Sequence, residues 1–210
     1  MVSPRVAYDR IAEHFSATRE YPWPEVEVFL TDRRGRRALD VGCGNGRHAE
    51  LLAAHARQVI GVDLSGGLLR EARQRARERE FAVDLVQSDA ARLPIAAGTI
   101  DLAVYVAALH HLRPRSTRLR SLDELARVLT PAGRGLVSVW STEHDRFDRD
   151  SGFDTTVDWT LPGGDTVPRY YHIYDPDEFR ADLDGSALRP VETFVSSGNC
   201  YAVVAPAADR

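Results

Sequence analysis

The chain has 210 residues, of which 43% are hydrophobic and 28% charged, and its formal net charge is -4. This length and composition suit one compact domain and exclude a largely disordered, collagen-like or low-complexity protein. No apolar run reaches about 18 residues, so we expect no membrane span. The first ten residues are too polar for a secretory signal, and we therefore expect a cytoplasmic protein.

Two further features of the composition limit the function classes. Cys43 and Cys200 are far apart in the sequence, which predicts neither a disulfide framework nor a metal site. All 27 basic residues are arginine. A net charge of -4 still allows a nucleic-acid partner, because a local basic face is enough to bind one.

Short apolar runs alternate with helical periodicity along the first two thirds of the chain. We expect helices at 6–15, 24–30, 47–56, 66–79 and 116–129, and strands at 38–41, 58–62, 81–86, 99–106 and 135–140. This alternation predicts an α/β fold with a parallel sheet and helices on both of its faces. In such sheets ligands bind beyond the carboxyl ends of the strands.

The last third of the chain has a different pattern. Residues 141–169 are polar with little periodicity, and we expect a long functional loop there. Asp175, Pro176 and Glu178 have the spacing of a helix start: a cap, a first-turn proline and an acid at the third position. Two final strands are expected at 187–195 and 200–205.

A glycine-rich turn, Asp40-Val41-Gly42-Cys43-Gly44-Asn45-Gly46, follows the first predicted strand and opens a helix. Gly42 and Gly44 allow the backbone to turn tightly and to approach a ligand closely. The turn lacks the lysine of a nucleoside-triphosphate-binding loop, which excludes that class.

Acidic residues follow the next two predicted strands. Asp63 ends the second strand, where a carboxylate can accept both ribose hydroxyls of a nucleoside, and Ser88-Asp89 follows the third. Each aspartate taken alone could simply cap a helix or a turn. Acids at three consecutive strand ends, with a glycine turn beside them, favour a nucleoside-binding site.

These motifs resemble those of class I S-adenosylmethionine-dependent methyltransferases: 39–46 is similar to their first motif, 61–65 to the second and 88–90 to the third. The resemblance implies a Rossmann-like, seven-stranded, mostly parallel sheet whose last strand, at 200–205, is antiparallel. A dehydrogenase is the competing interpretation, but its third glycine is not matched. The cofactor-binding residues that the resemblance implies are Asp40, Gly42, Cys43, Gly44, Gly46, Asp63, Leu64, Ser88, Asp89, Ala90 and Ala107.

The flanking segments resemble a narrower family, the tRNA wobble-uridine carboxyl methyltransferases. The strings that carry this resemblance are Tyr8-Asp9-Arg10-Ile11-Ala12, His14-Phe15-Ser16-Ala17-Thr18-Arg19, Pro22-Trp23-Pro24, Leu109-His110-His111-Leu112, Val139-Trp140 and Arg169-Tyr170-Tyr171-His172-Ile173-Tyr174. That family methylates the carboxylate of 5-carboxymethyluridine in tRNA, and its members work with a small zinc-binding activator subunit. The resemblance therefore implies tRNA and such an activator as partners.

A carboxylate acceptor has an ordinary pKa near ~4, so it is a nucleophile at neutral pH and needs no general base. It needs alignment with the methyl group and a cation that holds its second oxygen. We predict Arg19 for that cation, His110 beside the methyl group, and Trp140 for stacking on the base. Alternatively, Arg19 forms a surface ion pair, His110 makes hydrogen bonds at a helix start, and Trp140 packs in the core.

Six further residues are predicted on the acceptor side: His111, Arg113, Arg115, Arg169, Tyr170 and His172. The arginines after the fourth strand suit contact with an RNA backbone, although a solvated helix face would have the same composition. The tyrosines and His172 would equally suit an ordinary strand with alternate faces buried.

In this architecture the third strand lies at an edge of the sheet. The segment 81–86 carries a single charge, and a partner strand could pair with it and cover Phe81, Val83 and Leu85. A loop of the same chain is the alternative cover. We place the activator interface at these three residues.

We predict one methyltransferase domain over 1–210, with a helical lid at 1–32 and a substrate-side insertion at 141–172. Two other functions stay open at this point. One is methylation of a small molecule or a translation factor on the same scaffold, and the other is a non-catalytic tRNA-binding protein.

Overall fold

The computed structural model describes residues 3–207. Within that range the helices are α1 (Pro4–Ala17), α2 (Pro24–Leu30), α3 (Arg47–Ala53), α4 (Gly66–Glu78), α5 (Arg115–Val128) and α6 (Pro176–Asp184), with a 3₁₀ turn at Leu109–His111. The strands are β1 (Gly35–Val41), β2 (Ala56–Asp63), β3 (Asp84–Gln87), β4 (Ile100–Val106), β5 (Leu129–Trp140), β6 (Phe153–Thr160), β7 (Thr166–Ile173), β8 (Leu188–Ser196) and β9 (Asn199–Pro206).

Seven strands form the main sheet in the order β3-β2-β1-β4-β5-β9-β8. The first five are parallel, whereas β9 is antiparallel to both of its neighbours. This confirms the predicted Rossmann-like fold with an antiparallel last strand. Strands β6 and β7 form a separate antiparallel hairpin.

Both faces of the sheet are covered, as the alternation of strands and helices predicts. In β4, Ala103 and Tyr105 belong to a cluster on one face, while Leu102 and Val104 belong to a cluster on the other. Successive residues of a strand point to opposite faces, so a strand that buries both kinds must be covered twice. The sheet is therefore the middle layer of three.

Side-chain caps fix several helix starts, and those of α4 and α6 lie at the expected places. The Asp175 carboxylate accepts a hydrogen bond from the Glu178 amide at 2.8 Å, and Ser65 Oγ accepts one from the Leu68 amide at 3.1 Å. Ser3 caps α1 in the same way. These side chains satisfy amide groups that have no partner inside their helix.

The predicted third strand over 81–86 is wrong in its bounds, because β3 covers only Asp84–Gln87. Phe81 and Val83 precede the strand and pack, half-buried, against the cluster that contains Leu102 and Val104. Their side chains thus gain burial within the domain without backbone pairing. The position of β3 at the sheet edge is confirmed.

The expected loop over 141–169 is also wrong, because most of it belongs to the β6–β7 hairpin. Alternate residues of β6 face inward, with Val157 and Trp159 buried and Asp158 exposed. The polar residues that suggested a loop are the outward half of this alternation. No helix within residues 3–207 is both long and apolar enough to cross a membrane.

Candidate active site

A cavity of about 360 Å³ lies beyond the carboxyl ends of β1, β2, β4 and β5. Helix α1 and the β6–β7 hairpin contribute the remaining walls, through Tyr8 and Phe15 from the helix and Trp159 and Arg169 from the hairpin. The volume is in the range of small-molecule sites. This is the edge of the sheet where an α/β fold places its ligand.

The glycine-rich turn and Asp63 form one wall of the cavity. The Gly44 amide donates to Asp63 Oδ2 at 2.9 Å, and the Ser65 amide donates to Oδ1 at 2.8 Å. Burial raises the pKa of Asp63, although these two amides act against that rise. The carboxylate is thus held in one orientation beside Gly42, Cys43 and Gly44.

Asp40 and Gly46 lie behind this wall and do not line the cavity. Asp40 is 1% exposed, and its Oδ2 atom has no hydrogen-bond partner among the described residues. Burial, with the negative charge of Asp63 nearby, raises the pKa of Asp40 to about 7. Gly46 is the N-cap of α3, and a Cβ there would lie 3.2 Å from Ala72 Cβ. Both residues therefore support the glycine-rich turn from the side that faces away from the cavity.

The rest of the predicted cofactor residues also line the cavity: Leu64, Ser88, Asp89, Ala90 and Ala107. Asp89 Oδ1 accepts a hydrogen bond from the Ala91 amide at 2.8 Å. Ala107 has a φ of 54°, a left-handed conformation that is uncommon for alanine. Its amide donates to the Ser138 backbone oxygen at 3.1 Å, which holds the end of β4 against β5.

The two adjacent histidines have opposite tautomers. His110 Nδ1 accepts the Trp140 amide proton at 3.0 Å, so its ring proton is on Nε2. His111 Nδ1 donates to the Tyr170 carbonyl at 2.9 Å, and its Nε2 accepts from the Tyr8 hydroxyl at 2.7 Å. Burial lowers the pKa of His111 to about 4 and that of His110 well below its ordinary value. Both rings are therefore neutral at pH 7.

The three residues predicted to be catalytic, Arg19, His110 and Trp140, all line the cavity. His110 is 1% exposed, whereas Arg19 is exposed at the mouth, with its guanidinium 5.3 Å from the centre of the Trp159 ring. Trp140 stacks on Tyr171 with ring centres 4.8 Å apart. Two of the predicted acceptor residues, His111 and Arg169, line the same cavity.

The other four predicted acceptor residues, Arg113, Arg115, Tyr170 and His172, line a second, more open depression. Arg115 Nε is 2.6 Å from Asp182 Oδ1, and His172 lies between Asp154 at 2.7 Å and Glu178 at 2.8 Å. These contacts join the hairpin to α6 and α6 to α5. Arg115 and His172 thus have partners within the domain.

Sequence reasoning missed Tyr8 and Trp159 as site residues. Tyr8 hydrogen-bonds His111, and Trp159 Nε1 donates to His14 Nδ1 at 3.0 Å. The signal for Trp159 was the alternation of apolar residues at positions 153, 157 and 159 of β6. Nothing in the sequence pairs Tyr8 with His111, which is 103 positions away.

Comparison with known proteins agrees with this architecture. A methyltransferase domain family model matches residues 39–137. The tRNA (carboxymethyluridine(34)-5-O)-methyltransferase of Schizosaccharomyces pombe is 33% identical over 195 residues, which cover 81% of this chain and 82% of that protein. A mouse protein of the same name, ALKBH8, is 36% identical over 139 residues, which cover 66% of this chain and 20% of the mouse protein.

Among solved structures, the complex of the Haloferax volcanii Trm112 methyltransferase activator with a methyltransferase matches at a TM-score of 0.72 and 14% identity, with 99% of each chain covered. Fold, motifs and family model together define a class I S-adenosylmethionine-dependent methyltransferase. More narrowly, the chain belongs to the family of tRNA (carboxymethyluridine(34)-5-O)-methyltransferases. It spans only about a fifth of the length of its mouse relative.

The residues present fit S-adenosylmethionine, a cation that carries a nucleoside. Asp63 and Asp89 supply carboxylates along the cavity, and Asp40, whose Oδ2 has no hydrogen-bond partner among the described residues, lies behind the glycine turn. Gly42 and Gly44 place the backbone of that turn in the cavity wall. S-adenosylmethionine supplies the methyl group, and the chain's own residues bind it and orient the acceptor.

Asp63→Ala should weaken S-adenosylmethionine binding by about 1.5–3 kcal/mol, because charge-assisted hydrogen bonds to the carboxylate are lost. Titration calorimetry measures the change. Asp32→Ala, at an exposed carboxylate after α2, is the control and should bind normally. Equal affinities for the two variants would remove Asp63 from the cofactor site.

Proposed function

We propose that this chain methylates the carboxylate of 5-carboxymethyluridine at the wobble position of tRNA. Relatives that carry this activity in their names support the proposal, one of them over four fifths of the chain. A cytoplasmic location, expected from the sequence, would be consistent with such a substrate.

The observation that carries the proposal is the hydrogen bonding of the two histidines. His110 lines the cavity with its Nδ1 occupied by the Trp140 amide, so its ring proton is on Nε2, and both ring nitrogens of His111 are occupied. Neither ring provides a general base at neutral pH. A hydroxyl or amine acceptor needs a base, whereas a carboxylate is already ionised. A donor such as His110 is suited to orient that anion.

Aromatic rings and arginines at the cavity support a nucleotide as the carrier of the carboxylate. Trp140 and Tyr171 form a stacked pair that gives a flat wall for a base. Arg5, Arg19 and Arg146 lie among the lining residues and can contact phosphates around the mouth. The acceptor would then enter with its base against the rings and its backbone outside.

The segments at 1–32 and 141–172 would enclose the acceptor, as predicted. For the described part of the first segment, Asp9 Oδ1 accepts from Ser65 Oγ at 2.7 Å and from the Gly67 amide at 2.8 Å. Tyr8 hydrogen-bonds His111, and His111 in turn hydrogen-bonds the Tyr170 carbonyl of β7. We propose that α1 acts as a lid whose closure depends on these contacts.

Methyl transfer from labelled S-adenosylmethionine to three acceptors tests the proposal. They are tRNA with a carboxymethyl wobble uridine, the same tRNA with unmodified uridine, and free small carboxylic acids. The proposal expects label only in the first. Label in the free acids would instead favour a small-molecule methyltransferase. Binding of S-adenosylmethionine with no transfer to any acceptor would favour a non-catalytic tRNA-binding protein.

We also propose that a small zinc-binding activator docks at the β3 edge, as the family resemblance implies. Strand β3 has four residues and an open edge, and Leu85 and Val86 are only half-buried. Such an edge can pair with a strand of another chain. The Haloferax volcanii neighbour, whose fold this chain shares, was solved with an activator.

Val83→Arg should abolish co-purification with the activator, because it places a bulky cation beside the open edge. Val191→Arg on β8, the opposite edge strand, is the control for a cation at a sheet edge, since Val191 is 50% exposed. Pull-down of the co-expressed pair measures the outcome, and the melting temperature of each variant checks its folding. Retained binding by a folded Val83→Arg variant would place the activator elsewhere.

A further inference from the structure

Arg169 is a buried cation in the wall of the active-site cavity. It lies on β7 and is 8% exposed. Its guanidinium carbon is 4.9 Å from the centre of the Trp159 ring, 5.2 Å from that of Tyr171 and 5.9 Å from that of Tyr8. Electron-rich ring faces attract a cation, and these three rings hold the side chain in place.

The charge of Arg169 is not neutralised within residues 3–207. No carboxylate oxygen there lies within 4.0 Å of it, and its buried Nε atom has no hydrogen-bond partner. Its Nη1 atom donates only to neutral hydroxyls, to Tyr171 at 2.7 Å and to Tyr8 at 3.4 Å. A buried unpaired charge is costly to the folded protein. An anionic ligand in the cavity would remove that cost.

We propose that Arg169 is the residue that binds the carboxylate of the methyl acceptor, an inference that rests on the proposed function. Guanidinium and carboxylate groups match in geometry and form strong, charge-assisted hydrogen bonds. His110, whose ring also lies against Tyr171 at 4.9 Å, provides a second donor through Nε2. One carboxylate oxygen is then held while the other faces the methyl group.

Arg19, the cation predicted from the sequence, differs from Arg169 in burial although both lie over Trp159. Arg19 is exposed at the cavity mouth, and its Nη1 donates to the Thr18 carbonyl at 2.9 Å. An exposed cation is screened by water and distinguishes a carboxylate weakly. Arg169 rather than Arg19 therefore binds the carboxylate, and Arg19 contacts the RNA backbone.

The test compares two tRNAs that differ only at the wobble side chain, one with the carboxylate and one with the primary amide. The affinity of each tRNA is measured with the wild type, Arg169→Gln, Arg169→Lys, Arg19→Gln and the remote control Arg180→Gln, in complex with the activator if one is bound. We expect the wild type to favour the carboxylate by about 10- to 150-fold. Arg169→Gln should lower this preference to about one, while S-adenosylmethionine affinity stays unchanged.

The other variants complete the test. Arg169→Lys should keep part of the preference, and Arg19→Gln should weaken both tRNAs equally. Because the buried charge is unpaired, Arg169→Gln should not lower the melting temperature of the free protein. A preserved carboxylate preference in Arg169→Gln, with wild-type methylation intact, would overturn this assignment alone. No methylation of carboxylate tRNA by the wild type would overturn the proposed function and this assignment with it.

Discussion

Gly42→Ala is expected to eliminate S-adenosylmethionine binding and to destabilise the domain. Gly42 has a φ of 69°, and a Cβ at this position would lie 2.4 Å from Ala108 Cβ. Alanine in the left-handed conformation costs about 1–2 kcal/mol, and overpacking adds about 1–3 kcal/mol. Ala108 directly precedes the 3₁₀ turn that carries His110 and His111. Displacing Ala108 would therefore disturb these histidines as well as the glycine-rich turn.

Gly44→Ala is the matched control, because it has a similar φ of 56° but only an ordinary contact, 3.5 Å to Phe15 Cε1. Gly44→Ala should lower the free energy of unfolding only by the strain of an alanine in the left-handed conformation. The double variant Gly42→Ala/Ala108→Gly should recover much of the loss, since it removes the clashing methyl group. Calorimetry and chemical denaturation measure binding and stability. Equal losses for Gly42→Ala and Gly44→Ala would contradict the clash as the cause.

Asp40→Asn is expected to change the pH dependence of folding. The pKa of Asp40 is raised by burial from 3.8 to about 7 in the folded chain, so the folded state favours the protonated acid. As pH rises from about 4 to about 7, the unfolded state loses this proton first and the wild type loses stability. Asparagine does not titrate and avoids this loss.

The difference in unfolding free energy between Asp40→Asn and the wild type should therefore grow by roughly 2–3 kcal/mol from pH 5 to pH 8, whatever constant cost the amide carries. S-adenosylmethionine is a cation and favours ionised Asp40, so the wild type should bind it more tightly at pH 8 than at pH 6. The Asp40→Asn variant should not show this change in S-adenosylmethionine affinity. If the unfolding free energies of the two proteins changed in parallel with pH, the pKa of Asp40 would not be raised by folding.

Local sequence signals predicted the parts of the fold that depend on local chemistry. The cap at Asp175 and the strand–turn–helix order around Gly42 are encoded within a few residues. The bounds of β3 were not, because Phe81 and Val83 have strand-like composition but are buried by tertiary packing. Tertiary packing overrides β-propensity in this way, since that propensity depends on context.

The candidate site was predictable in its residues more than in their arrangement. The motifs indicated His110, His111 and Arg169, but the proton positions depend on Trp140, Tyr170 and Tyr8, which lie far away in sequence. The unpaired charge of Arg169 is likewise a property of the folded cavity. Sequence alone favoured Arg19, because burial cannot be read from an arginine's neighbours in the chain.

Mass spectrometry of wobble nucleosides tests the central claim most directly. tRNA is isolated from the source strain and from a strain that lacks this chain, and each sample is analysed with and without mild alkali, which hydrolyses methyl esters. We predict that the source strain contains an alkali-sensitive methyl ester of carboxymethyluridine, and that the deletion strain contains the free acid in its place. The same methyl ester in both strains would contradict this account.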